Sequence, residues 1–400
     1  MKQNKPKKII NAAGTAVPPD AREDAETKSF WRRPVFWLPL IFTLSAYVFL
    51  KICQQNAQAG EAARYVFPYI TYLPRYLNTF IPFSLTEAIV VIGGILLLAG
   101  IIASVVRLIR KDGRKAFLLK WAKGLYLVFC LGFCLFHLNF GFCYHRAPLH
   151  ENLGLPAKAR SADDLLNAGL WLADEVNALT DKVSRTEEGL FAPALSLDEV
   201  MYLSADAYKT RAEAGDNEFV REHLYRGPVR TKPVILSHYW SYTGITGVYV
   251  PFITESSVNI APPADDIIFT AMHEVAHSYG FAREDEANFL AFYNGILHEN
   301  EEVRYACWLS GFSYVNNALG RNDREKQGRL LEAIRPEAYE DILAGRRFWR
   351  QYEGPVETIS TQVNHAYLKA NKVEDGVKSY GRVVDLILAY YDEYHGALRS

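Results

Sequence analysis

Residues 270–280 read TAMHEVAHSYG, and His273 to His277 within them form the pattern H-E-x-x-H. Residues four apart lie on the same face of a helix, so the two imidazoles can bind one metal ion. Glu274 is one step further around the helix, where its carboxylate can act as general base on a water molecule. Gly280 predicts that the helix ends soon after the second histidine. The stretch therefore predicts a catalytic Zn²⁺ site on a helix.

The residues around the motif are apolar, as in a buried helix: Phe269, Met272, Val275 and Ala276. The alternative interpretation is a chance match on a surface helix. Histidine is scarce in the chain, at 10 of 400 residues, which makes a chance pair at this spacing improbable. We therefore favour a metal site.

A catalytic zinc ion takes three protein ligands and leaves one coordination position open. The next acidic residues are in the segment REDEANF, residues 283–289, which begins another predicted helix. Glu284 and Glu286 are the candidates for the third ligand. The one that does not bind metal would be a solvated carboxylate in the first turn, where the helix dipole favours negative charge.

The first 145 residues contain three long stretches without charge, Pro34–Leu50, Ala88–Val106 and Gly124–His145. A helix of roughly 20 apolar residues crosses the hydrocarbon core of a bilayer. We therefore predict a cytoplasmic, disordered tail over residues 1–33, a transmembrane region of three helices over 34–145 and an extracytoplasmic domain over 146–400.

Lys and Arg are concentrated on one side of the predicted spans. Residues 1–33 carry eight and residues 107–123 carry seven, whereas the loop between the first two spans has only Arg64 and Arg75 beyond Lys51. Because short cytoplasmic loops are rich in these residues, the N-terminus should be cytoplasmic and the C-terminal domain outside the cell membrane. The aromatic, proline-containing run Tyr65–Ser84 is typical of the membrane interface.

After residue 160 the chain has mainly helical periodicity, with a predicted helix beginning at Ser161 and others at Leu197, Asp266, Glu284, Glu301, Pro336 and Val377. Pro233–Leu236 and Gly247–Ile260 are rich in β-branched and aromatic residues and predict strands. The expected fold class is α+β: three N-terminal transmembrane helices, then a mostly helical domain with a small β-sheet. The formal net charge of -1 gives no support for binding nucleic acid.

Four segments together suggest a family: PYITYLPRYLNTFIPFSLTE (68–87), SHYWSYTGITGVYVPF (237–252), HEVAHSYGFAREDEANFLAF (273–292) and NHAYLKANKVEDGVKSYGRVVDL (364–386). With the three spans, they resemble an uncharacterised family of bacterial membrane-anchored zinc metallopeptidases of the gluzincin type. The resemblance covers most of the chain after the tail. It implies a zincin-like domain and no known substrate.

The resemblance also bears on individual residues. In gluzincins the third ligand is a glutamate in an E-x-x-x-D pattern whose aspartate orients a ligand histidine. Glu284 and Asn288 fit this spacing, with an amide in place of the aspartate, so Glu284 is favoured over Glu286. In such peptidases a strand before the zinc helix pairs with the substrate. Gly247, Val248, Tyr249 and Val250 are candidates for that role, although the same run can be a core strand.

A peptidase of this type also needs a donor that stabilises the transition state. The C-terminal segment supplies four candidates, among which the sequence does not decide: His365, Tyr367, Tyr380 and Arg382.

We therefore predict a membrane-anchored zinc metallopeptidase that hydrolyses an exported or membrane-proximal polypeptide with zinc-activated water and Glu274 as general base. Its partners would be a peptide or protein substrate and the lipid bilayer. Two alternatives remain: a non-catalytic membrane receptor or scaffold, and a signalling protease with a single substrate. A purely structural metal site would not require Glu274.

Overall fold

The computed structural model describes residues 34–110, 114–156, 158, 160–215, 217–371 and 382–397. The tail over residues 1–33, which we predicted to be disordered, and the candidate Tyr380 lie outside the described residues. The described chain is mostly helical, with one small sheet, and its first part contains the three expected apolar helices. This part of the predicted fold class is confirmed.

Three helices of the described chain are long and apolar enough to cross a membrane: α1 (Pro34–Gln55), α3 (Leu85–Arg110) and α4 (Arg114–Asn139). Two of these helices differ in extent from the uncharged stretches of the sequence. The first helix continues beyond Leu50 to Gln55. The third ends at Asn139, because residues Gly141–His145 form a separate 3₁₀ turn.

The described chain divides into two compact units. The first consists of residues 34–51 and 91–138, and therefore contains most of the three apolar helices. Within it, the Phe36 and Tyr126 rings stack with centroids 5.0 Å apart, and the Tyr126 hydroxyl donates to the Phe36 carbonyl. The side chain of Trp121 lies against Gly100.

The second unit consists of residues 52–90 and 139–397. It therefore includes the segment between the first two apolar helices, which folds as a long helix, α2 (Ala57–Thr79). We described this segment, which contains Pro68 and Pro74, as an interfacial loop and predicted no helix in it. Both prolines lie inside the helix. The division at residues 145 and 146 remains a prediction.

The helices of the second unit continue as follows: α5 (Leu149–Leu153), α6 (Ala162–Thr180), α7 (Leu197–Glu213), α8 (Ser237–Trp240), α9 (Ala264–Ser278), α10 (Glu284–Gly295), α11 (Glu301–Asn322), α12 (Arg324–Ala333), α13 (Pro336–Arg350), α14 (Pro355–Ala370) and α15 (Val383–Ala397). Helices α6 and α7 begin at capping boxes formed by Ser161 with Asp164 and by Ser196 with Glu199, which satisfy the first backbone N–H groups. Helices α12 and α14 were not predicted.

The sheet has three strands in the order β1 (Lys232–Val234), β3 (Glu255–Asn259), β2 (Gly247–Val250). β1 is parallel to β3 and β2 is antiparallel to it, with Gly247 opposite Val258 and Val250 opposite Glu255. The predicted single run Gly247–Ile260 is thus a hairpin of two strands. β2 is one of the two edge strands of this sheet, and β1 is the other.

Helix α9 lies at the centre of the second unit and packs against α7, α10, α11 and the sheet. Residues on every side of it are buried, among them Ile268, Met272, Val275 and Ala276. A helix that is buried all round belongs to the core. Its motif is therefore held by the most rigid part of the unit.

Candidate metal centre

Hydrogen bonds from neighbouring elements fix the backbone of α9 at the motif. The Tyr208 hydroxyl on α7 donates to the Met272 carbonyl over 2.8 Å. The Ser256 hydroxyl on β3 donates to the Glu274 carbonyl over 2.8 Å, and its oxygen also lies 2.9 Å from Ser278 Oγ. Strand and helix are thus joined directly beneath the motif.

The end of α9 positions the second histidine. Gly280 has φ +88°, which a residue with a side chain rarely adopts, and here the chain reverses direction. The reversal brings the Phe281 carbonyl back to His277, whose Nδ1 donates to it over 2.7 Å. Because Nδ1 carries the proton, Nε2 of the neutral ring presents its lone pair on the other side.

Three groups converge at one point of the structure, His273, His277 and Glu284. The two Nε2 atoms lie 3.0 Å apart, and Glu284 Oε2 lies 3.2 Å from His273 Nε2 and 3.6 Å from His277 Nε2. Among the described residues this is the group of His, Cys, Asp and Glu side chains with metal-binding geometry.

The three consecutive acids of α10 point to three different places. Glu284 faces the histidines, whereas the Asp285 carboxylate accepts from Arg382 Nε over 3.0 Å. The Glu286 carboxylate accepts from the Leu149 backbone N–H over 2.9 Å and from Arg283 over 3.1 Å. The structure therefore brings Glu284 to the histidines and places Glu286 elsewhere, in a buried structural role.

The other ring nitrogen of His273, Nδ1, is buried and has no hydrogen-bond partner among the described residues. Asn288 lies beside His273, and its side chain favours the charged form of the imidazole, although burial dominates and lowers the pKa of His273. Asn288 is thus next to the ring that we predicted it to orient.

The charges of the cluster favour bound positive charge. Burial alone would lower the pKa of His277, but the neighbouring Glu284 carboxylate outweighs it and raises that pKa to about 9. Burial opposes ionisation of Glu284, yet the two imidazoles hold its pKa well below the usual range. An ionised carboxylate and two converging nitrogens form a site for a cation.

The donor set fits zinc. Two imidazole nitrogens and one carboxylate are a frequent ligand set of catalytic zinc, and ligands about 2.0–2.2 Å from one ion lie about 3.3–3.5 Å apart at tetrahedral angles. The three separations here, 3.0, 3.2 and 3.6 Å, are close to that. Three protein ligands leave the fourth position open.

Glu274 lies beside this cluster but does not belong to it. Burial, with the charge of Glu284, raises the pKa of Glu274 to about 8, and its Oε2 is buried without a hydrogen-bond partner among the described residues. Strand β2 passes directly over this side chain. A Cβ on Gly247 would come within 2.5 Å of Glu274 Oε1. The edge strand thus touches the predicted general base.

Of the four candidate stabilisers, the structure places Tyr367 and Arg382, whereas Tyr380 lies outside the described residues. Tyr367 lies near the cluster, since burial and then the Glu284 charge raise its pKa to about 12 even though a hydrogen bond from Tyr144 opposes the shift. It is also 38% exposed, so it lies where the site meets solvent. Arg382 pairs with Asp285 instead.

Some neighbours of the site were not predicted. The Phe140 ring lies 6.2 Å from the His277 ring and 5.0 Å from the Tyr249 ring, between centroids. Tyr144 donates to Tyr367 over 3.1 Å. Burial, followed by the charges of Asp266 and Glu284, raises the pKa of the partly buried Tyr314 on α11. These aromatic residues are distant in sequence from the motif, so no local pattern indicates them.

A family model described as a protein of unknown function, DUF3810, matches residues 63–388. The chain belongs to this family. The DUF3810 match includes most of α2, the sheet, α14 and the cluster of His273, His277 and Glu284. The whole site described above therefore lies within the matched residues. No curated protein and no solved structure matches the chain. The resemblance to zinc metallopeptidases stays a prediction.

Proposed function

We propose that the chain is a membrane-anchored, zinc-dependent peptidase with a zincin-like domain on the extracytoplasmic side. The observation that carries the proposal is the pairing of a three-ligand cluster with Glu274. Glu274 is buried, has one oxygen without a hydrogen bond, and lies next to the cluster without joining it. A metal site that only stabilised the fold would need no such carboxylate and would be closed by a fourth ligand.

His273, His277 and Glu284 would hold the ion. Zinc, when bound, would polarise the scissile carbonyl and make water acidic enough to attack near neutral pH. Glu274 takes the proton from the attacking water and returns it to the leaving amine. Burial raises the pKa of Glu274 to about 8 in the metal-free site. The positive charge of a bound ion would lower this pKa toward the range that suits a general base near neutral pH.

The edge strand supports a peptide as the substrate. β2 is hydrogen-bonded to β3 on one side, and an extended peptide can add to the other side through backbone hydrogen bonds. Gly247 at its start touches Glu274, so a peptide paired with Gly247–Val250 would bring a bond near the base. Tyr367 is the candidate donor for the developing oxyanion.

The test is zinc content and cleavage of a peptide library by the full chain purified in detergent. We expect stoichiometric zinc and cleavage in wild type, zinc without cleavage in Glu274→Gln, and neither in His273→Ala. Glu284→Gln should lose zinc, whereas the matched variant Glu286→Gln should keep it. A wild type without bound metal would refute the peptidase and favour a receptor or scaffold.

Tyr367→Phe tests the proposed donor. Because one oxyanion donor contributes about 10²–10³ in rate, we expect kcat to fall by roughly that factor, with zinc content and KM little changed. Tyr394→Phe, at another partly exposed tyrosine, is the control and should cleave like wild type. Wild-type kcat in Tyr367→Phe would remove Tyr367 from the mechanism.

A further inference from the structure

Helix α2 has its polar and apolar sides reversed relative to a helix on the surface of a soluble domain. Its buried residues include Thr71, Arg75 and Asn78, which follow one another at helical spacing. Apart from Phe67, which is buried, most of its large apolar and aromatic residues point outward instead. The exposed ones are Tyr65, Val66, Tyr69, Ile70, Tyr72, Leu73, Tyr76 and Leu77, followed by Phe80 and Phe83 just beyond the helix.

The inward polar groups are bound to backbone carbonyls of the second unit. Arg75 donates to the Ser278 carbonyl over 3.1 Å and also to the Arg226 carbonyl. Asn78 donates to the Ile253 carbonyl over 2.7 Å and to the Thr254 carbonyl over 3.3 Å. These hydrogen bonds hold the polar side of α2 against the rest of the second unit. The apolar side is therefore fixed in an outward orientation.

From Tyr65 onward, the outward side of α2 carries no charge. Between Tyr65 and Phe83 the sequence has a single charged residue, Arg75, and that residue is buried. A continuous apolar surface formed by so many large side chains is rare on soluble proteins, and it marks a site of contact with a partner or a membrane. Tyrosine is the residue, with tryptophan, that is enriched where a bilayer meets water, because its ring is apolar and its hydroxyl is polar.

Chain continuity indicates what covers this surface. Asn56 alone separates α2 from α1, and only Phe80–Ser84 separate it from α3. Both neighbours are long and apolar enough to cross a membrane. A helix attached at both ends to such segments cannot move far from the bilayer.

We propose that α2 lies in the membrane interface, with its outward face in contact with lipid at the boundary between headgroups and acyl chains. The contact does not depend on the metal centre being catalytic. It has a consequence for that centre, because Phe67 on the inner side of α2 packs against Gly280, and Arg75 binds Ser278. The C-terminal end of the metal-binding helix α9 is therefore one helix away from lipid.

The experiment uses the full chain in phospholipid liposomes with an environment-sensitive fluorophore on an introduced cysteine. Tyr69→Cys and Leu73→Cys place the label on the outward face, where the native side chains are 85% and 62% exposed. Glu325→Cys on α12, an exposed charged position, is the matched control. The native cysteines of wild type are buried or half-buried, so wild type measures background labelling.

We expect labels at 69 and 73 to lose most of their emission when the liposomes contain nitroxide-labelled phospholipid, and little when iodide is added to the water. The label at 325 should behave in the opposite way. Iodide quenching at 69 and 73 without nitroxide quenching would show a water-exposed face and overturn the proposal. Protection from both quenchers would also overturn it, since protein and not lipid would then cover α2.

Discussion

At the scale of single residues, Gly247 and Glu274 share a space that has no room for another atom. A Cβ at residue 247 would lie 2.5 Å from Glu274 Oε1, 2.8 Å from Glu274 Cγ and 2.8 Å from Thr270 Cγ2. Glu274 and Thr270 belong to the buried helix α9, which cannot easily move. The strand must therefore shift, or the carboxylate must turn away from the cluster.

Replacing Gly247 by alanine should for this reason reduce peptide cleavage strongly while zinc remains bound. A displacement of about 1 Å in a catalytic group can cost about 10² in rate, and we expect a loss of that order in kcat/KM. The comparison is with Gly328→Ala on α12, where an added Cβ meets nothing within 4 Å. Equal activity of Gly247→Ala and wild type would mean that β2 does not position Glu274.

The sequence predicted this site unevenly, for physical reasons. His273 and His277 could be identified because helical spacing alone places them on one face. Glu284 could not be separated from Glu286 by spacing alone, since the choice depends on how the chain turns at Gly280. The hydrogen bond from His277 to the Phe281 carbonyl could not be predicted from any sequence pattern, because every residue has a carbonyl group.

At the scale of elements, the first turn of helix α9 contains a buried carboxyl group, whose ionisation is unfavourable. Asp265 is buried in its first turn, and burial, together with the charges of Asp266 and Asp341, raises its pKa well above the ordinary value. Asp341 is itself buried and accepts hydrogen bonds from Arg185 and from the Phe191 backbone N–H. The folded state thus resists ionisation of Asp265 more than the unfolded chain does.

Asp265→Asn should therefore stabilise the protein, and more so at higher pH. Well below the ordinary pKa of aspartate, which is about 3.9, the carboxyl is protonated in both states and the change gains little. As pH rises, the unfolded chain ionises first and wild type loses stability relative to the variant. We therefore expect the stability difference between Asp265→Asn and wild type to grow from pH 5 to pH 8, since burial and the charges of Asp266 and Asp341 raise the pKa of Asp265 in the folded state.

Thermal unfolding in detergent at pH 5 and pH 8 measures this difference, with Glu325→Gln at the surface as the control. A variant that is less stable than wild type at pH 8 would show that the Asp265 charge is compensated. The pH dependence of wild type alone is not informative, because other buried groups titrate as well.

The helices and strands also show which parts of the fold could not be predicted from the sequence. Apolar periodicity located the three long apolar helices and most helices of the second unit. It missed α2, because this aromatic, proline-containing segment between two spans was interpreted as an interfacial loop. It also joined β2 and β3 into one run, since the turn between them contains Phe252 and Ile253, which resemble strand residues.

At the scale of the whole molecule, the proposed peptidase activity and the proposed lipid contact of α2 together indicate which peptide bonds the metal site can reach. If α2 contacts lipid and supports the end of α9, the cluster works close to the bilayer surface. Soluble polypeptides would meet it rarely, whereas segments adjoining a membrane anchor would be held near it at high effective concentration. The proposed substrates are therefore polypeptides that are attached to the membrane.

This can be measured with substrates that join a spanning helix to a cleavable sequence through spacers of increasing length, reconstituted with the enzyme in liposomes. An extended residue adds about 3.3 Å, so we expect cleavage to be fastest with spacers of about ten residues or fewer, and to decline with longer ones. Glu274→Gln provides the background. Rates that did not depend on spacer length would exclude a site restricted to the bilayer surface, while leaving the peptidase itself intact.

The three diverging carboxylates of α10 have a consequence for how this chain can evolve. Six residues, Ser278–Arg283, separate His277 from Glu284. Adding or removing one of them would turn α10 by about 100°, which would send the shorter Asp285 or the basic Arg283 toward the histidines and break the contacts to Leu149 and Arg382. Substitutions in this connection can accumulate, but insertions and deletions should be eliminated by selection.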